Sequence, residues 1–327
     1  MMASIDAPSD ATRLGPAAIA EPPEIMPDAV AASMASLAAP MAPGAPVAAI
    51  DRKPPSLLRR LPTSRIAMVG LTLIGIWVVL AALAPFLPLD DPNRQDFLSL
   101  GNPVPSAKHW LGVDIKGRDI LARLIFGART VLMVAPFAAI CAYLVGMPLG
   151  LLAGYYGGKV DLVVSRLSDI ILAFPIIILY VILISQIGPS FWNIVLAVIL
   201  TAGPGIGRIV RGLTLEQRHL DYVAAAQLRK ESDFYVMAVE LLPNCRGPLI
   251  TDFCLRVGYT IITIGILGFL GLGLPPPDPD WGTMVKEGTT LISVHPHMSL
   301  FPAIAIVSLV LGFNLVADGV RELSLTD

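Results

Sequence analysis

Five long runs of apolar residues without a single charge constrain the fold of this chain more than any other feature. They cover residues 66–89, 130–158, 170–207, 257–277 and 298–317. A helix needs about 20 apolar residues to cross the hydrocarbon core of a bilayer, and the whole chain is 55% hydrophobic and only 15% charged. Because lipid offers no hydrogen bonds to the backbone, each run is predicted to be helical.

The third run is too long for one crossing and is predicted to contain two spans. It includes QIGPSFWN at 186–193, where a Gly-Pro turn precedes a tryptophan of the kind found at membrane interfaces. The fifth span is expected to begin near Leu249, before its uncharged run, and to take in Asp252 and Arg256. The sequence therefore predicts an all-α integral membrane protein with six transmembrane helices.

The distribution of lysine and arginine predicts that the N- and C-termini are both cytoplasmic. Basic residues precede the first span and also occupy the loop between spans four and five, whereas the loop between spans five and six carries only Lys286. Cytoplasmic loops are the ones enriched in these residues. The segment between spans one and two is also basic, but its aspartates balance it, and the first helix usually decides the orientation.

Residues 1–55 are predicted to form a disordered cytoplasmic tail. They are rich in alanine and proline and have few large apolar side chains to bury. No basic start followed by an apolar core is present, so a cleaved signal peptide is not expected.

A polar stretch between spans four and five, residues 219–244, is predicted to be a helical hairpin. Its first helix contains Ala224, Ala225 and Ala226, and Ser232 or Asp233 is expected to cap the second. An apolar stripe follows at helical spacing, made of Phe234, Met237, Ala238 and Leu241, and Pro243 is expected to end the helix. These residues alone leave two interpretations equally open, a hairpin packed on its own bundle or a docking site for a cytosolic protein.

Other polar residues give weaker signals. Asp252 and Arg256 are spaced for a structural ion pair within one helix, and Arg166 and Asp169 lie near the start of the third span. His295 and His297 lack further ligands at metal-binding spacing and are interpreted as incidental. Asp278, Asp280 and Trp281 are expected to form an interfacial turn. The three cysteines, Cys141, Cys245 and Cys254, are interpreted as small apolar residues.

From about Leu57 to Arg321 the chain resembles the second permease subunit of binding-protein-dependent ABC importers of the dipeptide/oligopeptide/nickel group. The resemblance rests on several motifs in the same order. They are HWLGVDIKGRDILARLIFGAR at 109–129, GLLAGYYGGKVD at 150–161, LSDIILAFPIIIL at 167–179, GPGIGRIVRG at 203–212, LGFLGLGLPPPDPDWGTMV at 267–285 and FNLVADGVRE at 313–322. The hairpin is similar to the family's coupling motif, which ends in LPN.

The resemblance implies a type I ABC importer fold in the bacterial cytoplasmic (inner) membrane, with residues 56–125 as an N-terminal span plus extracytoplasmic segment. Residues 126–321 would form the permease core, with a coupling loop at 212–246. It also implies the partners, which are a second homologous permease, one or two cytosolic ABC ATPases, an extracytoplasmic solute-binding protein and membrane lipid. ATP and magnesium would be bound by the ATPases, because no phosphate-binding loop occurs in this chain. No cofactor, metal, catalytic residue or nucleic-acid partner is expected.

By the same resemblance, the ATPase-coupling residues are Tyr222, Val223, Ala224, Ala225, Ala226, Leu228, Lys230, Ser232 and Asp233. Two of them depart from the family pattern, since Ala224 stands where glutamate is usual and Lys230 where glycine is usual. Lys230 must either avoid a positive φ or accept strain of about 1 kcal/mol. A co-adapted ATPase and a weakly coupled permease are the two explanations left open.

Two functions of other classes are alternatives. A stand-alone carrier or channel predicts internal repeats, carboxylates at mid-membrane or broken helices, and the glycines of 203–207 resemble such a break. A membrane scaffold predicts that deleting residues 1–55 abolishes function, whereas an importer tolerates it. The solute stays open among dipeptides, oligopeptides, nickel chelates, glutathione and sugars.

Overall fold

A computed structural model describes residues 61–275 and 277–325, so the predicted tail at 1–55 lies outside the described residues. Nine helices of eight residues or more occur in the described part of the chain. They are α1 (Arg65–Leu83), α2 (Ile120–Tyr156), α3 (Gly158–Leu172), α4 (Ile176–Ile187), α5 (Phe191–Gln217), α6 (Asp221–Leu228), α7 (Arg246–Leu270), α8 (Trp281–Thr289) and α9 (His297–Leu325). Over the same residues, extended pairing is limited to two isolated bridges.

Five of these helices, α1, α2, α5, α7 and α9, are long and apolar enough to cross a membrane. The pair α3 and α4 makes a sixth span if it is counted as one, although the two helices meet at an angle of 83°. The predicted division of the third apolar run is confirmed, because α4 ends at Ile187 and α5 begins at Phe191. The fifth span starts at Arg246 and includes Asp252 and Arg256, as expected.

The glycines of 203–207, which resemble a helix break in the sequence, lie inside α5, which continues through Pro204. The chain bends between Leu172 and Ile176, where Pro175 precedes α4. Proline is accommodated at the start of a helix, where its missing N–H would have no partner in any case.

Small residues set the distance between α2 and α5. Gly146 and Gly150 of α2 face Gly203 and Gly207 of α5, and a Cβ at Gly150 would collide with the carbonyl oxygen of Gly207. Such residues let helix backbones approach closely in lipid, where van der Waals packing drives association. The α2–α5 pair is therefore the centre of the bundle.

The first helix is joined to the last by polar contacts as well as by packing. Ser64 caps α1 and donates from its hydroxyl to Glu322 at 3.0 Å. Further along, the indole of Trp77 donates to the hydroxyl of Ser308 at 2.9 Å. These contacts attach α1 to α9.

Residues 87–119, here called the cap segment, connect α1 to α2 and contact α8. The imidazole of His109 lies between Asp119, at 2.7 Å from Nδ1, and Asp96, at 3.4 Å from Nε2. Lys116 donates to Glu287 of α8 at 2.7 Å, and Arg118 also binds Glu287. The cap segment and α8 are thereby held together by ion pairs.

The prediction that Asp280 and Trp281 form an interfacial turn is wrong. Trp281 is only 1% exposed, its indole N–H donates to the carbonyl oxygen of Leu124 at 3.0 Å, and its ring lies 4.9 Å from that of Trp77. Asp280 is buried and caps α8 by accepting the N–H of Gly282. The short α8 folds back into the bundle, which carries both residues inward.

Candidate functional site

The polar stretch between α5 and α7 is a helical hairpin, as predicted. Its first arm is α6, and its second arm runs through Asp233–Tyr235, a π-helical stretch Val236–Leu241 and Leu242–Asn244. The hydroxyl of Ser232 accepts the N–H of Tyr235 at 3.2 Å, so Ser232 is the N-cap of the second arm. The second arm ends one residue after Pro243, and α7 begins at Arg246.

One face of the hairpin is packed against the end of α2. Val223, Ala226, Val236, Met237 and Leu241 form a buried apolar cluster, against which Leu151 and Tyr155 pack. Burying such a cluster is favourable by roughly 25 cal/mol for each Å² of apolar surface removed from water. This packing orients the hairpin relative to the bundle.

Hydrogen bonds from α2 reinforce that packing. The hydroxyls of Tyr155 and Tyr156 each donate to a different carboxylate oxygen of Asp233, both at 3.0 Å. A carboxylate near a helix N-terminus is also favoured by the helix dipole. Asp233 therefore fixes the start of the second arm to the end of α2.

The opposite face of the hairpin presents apolar side chains that the described residues leave exposed. Leu228 is 84% exposed and Phe234 is 76% exposed. They lie at the end of α6 and the start of the second arm, outside the long apolar helices. Exposed apolar side chains of this size that flank one turn are typical of a protein-binding surface.

The turn between the two arms has a strained residue at its centre. Lys230 has φ 59°, and no other residue but glycine has a positive φ in the described part of the chain. Its N–H bonds to the carbonyl of Gln227, and the N–H of Glu231 bonds to the carbonyl of Ala226. This is the Schellman pattern that ends helices, with lysine where glycine is preferred.

Charged side chains bridge the two arms beside that turn. Arg229 donates to Glu240 at 3.0 Å, and its guanidinium lies 3.6 Å from Glu231. At the start of α6, the hydroxyl of Tyr222 donates to Gln217 at 2.8 Å, and burial raises the pKa of Tyr222. The hairpin is thus bonded at its base, its turn and its contact with α2.

The structure divides the predicted coupling residues into two groups. Val223 and Ala226 are buried in the cluster and Tyr222 is half-buried, so these three hold the hairpin in place. The others are exposed, namely Ala224, Ala225, Leu228, Lys230, Ser232 and Asp233, although Ser232 and Asp233 also make hydrogen bonds within the chain.

The predicted apolar stripe of the second arm is partly wrong. Phe234 is exposed, whereas Val236, which the spacing leaves out of the stripe, is buried. The π-helical winding of Val236–Leu241 changes the spacing from 3.6 residues per turn and accounts for the burial of Val236, whereas Phe234 lies before that stretch. Sequence reasoning therefore missed Phe234 as a surface residue, and the only signal for it was its position directly after the capping Ser-Asp pair.

The polar residues within the spans pair with one another. Asp252 lies 3.4 Å from the guanidinium of Arg256 and accepts a hydrogen bond from the hydroxyl of Tyr143. Asp169 pairs with Arg208 at 2.8 Å. The first pair confirms the expected structural ion pair of α7.

His295 and His297, on either side of Pro296, lie close together in the structure. His297 contacts the carbonyl oxygen of Pro103 through Nε2 at 3.1 Å, and the two histidine rings lie 5.7 Å apart. Across the described residues, no group of three or more histidine, cysteine, aspartate or glutamate side chains is arranged to hold a metal.

The described residues form a bundle of helices long and apolar enough to span a membrane, with a helical hairpin bonded to one end. Comparison with known families identifies the class of membrane protein. Residues 146–324 match the model of the binding-protein-dependent transport system inner membrane component, and residues 56–102 match the N-terminal transmembrane domain of oligopeptide transport permease C. The chain belongs to this family of ABC importer permeases.

Individual relatives agree with the family. The chain is 37% identical over 265 residues to the glutathione transport system permease protein GsiD of Pectobacterium atrosepticum, covering 81% of this chain and 88% of the relative. It is also 37% identical over 267 residues to the dipeptide transport system permease protein DppC of Alkalihalophilus pseudofirmus, covering 81% and 86%. The inward-facing MetNI methionine ABC transporter shares its fold, with a TM-score of 0.51 at 18% identity over 62% of this chain and 95% of that one.

The chain is accordingly a multi-pass permease subunit of an ABC importer. An importer of this kind combines its permease with an ATPase and with a solute-binding protein.

Proposed function

We propose that this chain forms half of the translocation pathway of a peptide importer in the bacterial inner membrane, and that its hairpin couples the pathway to a cytosolic ATPase. The observation that carries the proposal is the exposure of Leu228 and Phe234 on a hairpin that is otherwise bonded to the bundle. A second, homologous permease supplies the other half of the pathway. The solute class is taken from relatives that are named for dipeptides and glutathione.

The build of the hairpin suits the transmission of force. A hairpin that transmits the movement of its partner must be rigid. That rigidity comes from the buried cluster, the Ser232 cap and the tyrosine hydrogen bonds to Asp233. The bonds to α2 are the route by which a movement of the hairpin reaches the spans. The two conformations of the pathway must bind the driving state of the ATPase with different affinities.

ATP chemistry belongs to the partner in this proposal. ATP and magnesium are bound by one or two ATPase subunits, and this chain contributes no catalytic residue. Its hairpin and both termini face the cytoplasm, and the cap segment with α8 faces the solute-binding protein. The remaining surface of the spans meets lipid and the second permease.

Co-purification from native membranes tests the assembly. A C-terminally tagged chain is expected to retain a second permease and one or two ATPases with phosphate-binding loops, identified by mass spectrometry. Replacing residues 222–233 by a glycine-serine linker of equal length is expected to release the ATPases and leave the permease pair intact. A chain that purifies alone in mild detergent at native expression would overturn the proposal.

A further inference from the structure

The end of the bundle opposite the hairpin contains a polar cavity. Its volume is about 250 Å³, and it lies between the cap segment, the C-terminal end of α7 and α8. The charged and hydroxyl side chains of its lining include Lys116, Arg118, Arg123, Asp280, Thr283 and Glu287. The hairpin packs against the other end of α2, about 45 Å away for a helix that rises 1.5 Å per residue.

Two of the three cations in the lining are already neutralised. Arg118 donates from Nε to Asp114 at 2.6 Å and also binds Glu287. Lys116 donates to the second oxygen of Glu287 at 2.7 Å. The other oxygen of Asp114 accepts the backbone N–H groups of Lys116 and Arg118. The carboxylates of Asp114 and Glu287 are thus engaged by Lys116 and Arg118.

Arg123 is the exception. Its side chain is buried, with the residue only 3% exposed, and its Nε lies 3.6 Å from Asp114, beyond hydrogen-bond distance. Nη1 makes a long contact of 3.4 Å with the carbonyl oxygen of Pro92. Within residues 61–275 and 277–325, Arg123 Nε is the one buried side-chain nitrogen or oxygen without a hydrogen-bond partner. A buried charged donor left unsatisfied is costly, so it requires an explanation.

The two nearby aspartates do not supply the missing acceptor. Asp280 accepts the N–H of Gly282 at 3.1 Å and the hydroxyl of Thr283 at 2.7 Å. Burial raises the pKa of Asp280, which favours its neutral form. Asp278, also on the lining, is exposed to solvent. The nearest carboxylate to Arg123 is that of Asp114, 3.6 Å from Nε and already bonded to Arg118, so a buried guanidinium Nε on the lining is left without a hydrogen-bond acceptor.

We propose that this cavity binds the carboxylate of a small solute, with the guanidinium of Arg123 as its receptor. A guanidinium presents parallel N–H donors that match the two oxygens of a carboxylate. The identification of that carboxylate as the C-terminus of a peptide rests on the proposed function, while the chemistry of the site does not. Its place at the end remote from the ATPase is where a delivered solute first meets the permease.

Equilibrium binding to the intact permease–ATPase complex in nanodiscs, without binding protein or nucleotide, tests the site. Dialanine and dialanine amide are the probes, because they differ only in the carboxylate. Dialanine is expected to bind at least tenfold more tightly than the amide, and acetate is expected to displace it while acetamide does not. Equal binding of dialanine and its amide, or no binding of dialanine, would overturn the proposal.

Two variants locate the binding on Arg123. Arg123→Met, which keeps an unbranched side chain of similar length, is expected to abolish the preference for dialanine over its amide. Arg129→Met, on the exposed side of the same helix, is the matched control and is expected to retain it. If Arg123→Met fails to assemble, the comparison of dialanine with its amide on the unmodified complex decides alone.

Peptide uptake separates a failure of this site from a failure of the proposed function. A complex that imports no peptide but prefers dialanine through Arg123 would refute the peptide importer and support the carboxylate site. A complex that imports peptides while Arg123→Met changes neither uptake nor the preference would refute the carboxylate site.

Discussion

The two ends of α2 differ in the kind of side chains that pack against them. At its start, the cap segment and α8 bury ion pairs and a tryptophan within the chain, with Arg118 on Glu287 and Trp281 in the core. At its end, the hairpin buries a cluster of only five apolar residues and leaves Leu228 and Phe234 exposed. Apart from Arg123, the first end pairs its charged groups within the chain, whereas the second leaves large apolar side chains exposed. This difference is the reason for proposing that a protein partner binds at the hairpin.

Loss of an aromatic ring is expected to reduce stability where the ring is buried at the start of α2, and not where a ring is exposed. Trp281→Ala is expected to lower the free energy of unfolding by about 3–5 kcal/mol, the usual cost of removing a buried aromatic side chain. Thermal unfolding of the chain in detergent measures it. Trp192→Ala is the control, because Trp192 is 67% exposed, and its melting temperature is expected to change little. Equal losses for both variants would contradict the contrast.

At the hairpin end, removal of apolar side chains is expected to affect coupling and leave stability unchanged. The double variant Leu228→Ser and Phe234→Ser is expected to reduce ATP-driven uptake in proteoliposomes at least tenfold, because the ATPase loses its contact surface. Its melting temperature should match the wild type, since both side chains are exposed. Phe97→Ser, an exposed phenylalanine of the cap segment, is the matched control and should leave coupling intact. A folded double variant with full uptake would contradict the assignment.

The turn of the hairpin offers a smaller effect. Lys230→Gly removes the strain of a positive φ and is expected to raise stability by up to about 1 kcal/mol, whereas Lys230→Ala retains the strain and is not. Thermal unfolding of both variants measures the difference. If alanine stabilises as much as glycine, the charge of the lysine and not its backbone would be the cause.

The cap segment adds the smallest effect, and it depends on pH. A hydrogen bond from Lys108, with others from Ser99 and His109, holds the pKa of Asp96 below its ordinary value of 3.8. A carboxyl of lowered folded-state pKa contributes stability above its unfolded pKa and loses it as the pH falls through the folded value. Asp96→Asn is therefore expected to destabilise the chain slightly at pH 7 and less at pH 3. A difference in melting temperature that grows on acidification would contradict this.

The spans and the hairpin could be predicted from sequence because both depend on local pattern. An uncharged run of sufficient length specifies a span, and Ser232 with its flanking residues specifies a cap. The π-helical winding that exposes Phe234 and buries Val236 has no such signature, since it depends on packing against α2. Asp280 and Trp281 were misplaced for the same reason, because the return of α8 into the bundle is set by distant partners such as Leu124.

Much of the site assignment depended on resemblance. The nine predicted coupling residues came from a family motif, and the structure divides them by burial into those that hold the hairpin and those that a partner can reach. Arg123 could not be found from sequence, since its unpaired Nε depends on the geometry of residues at 92, 114 and 280.

Photo-crosslinking from single positions tests most directly whether the hairpin is the end that meets the ATPase. A benzophenone amino acid is placed at 234 on the exposed hairpin face, at 241 in the buried cluster, or at 97 in the cap segment, and cells are irradiated before purification. We expect an adduct with an ATPase that contains a phosphate-binding loop from position 234 alone. An ATPase adduct from position 97, or none from 234 in an assembled complex, would contradict it.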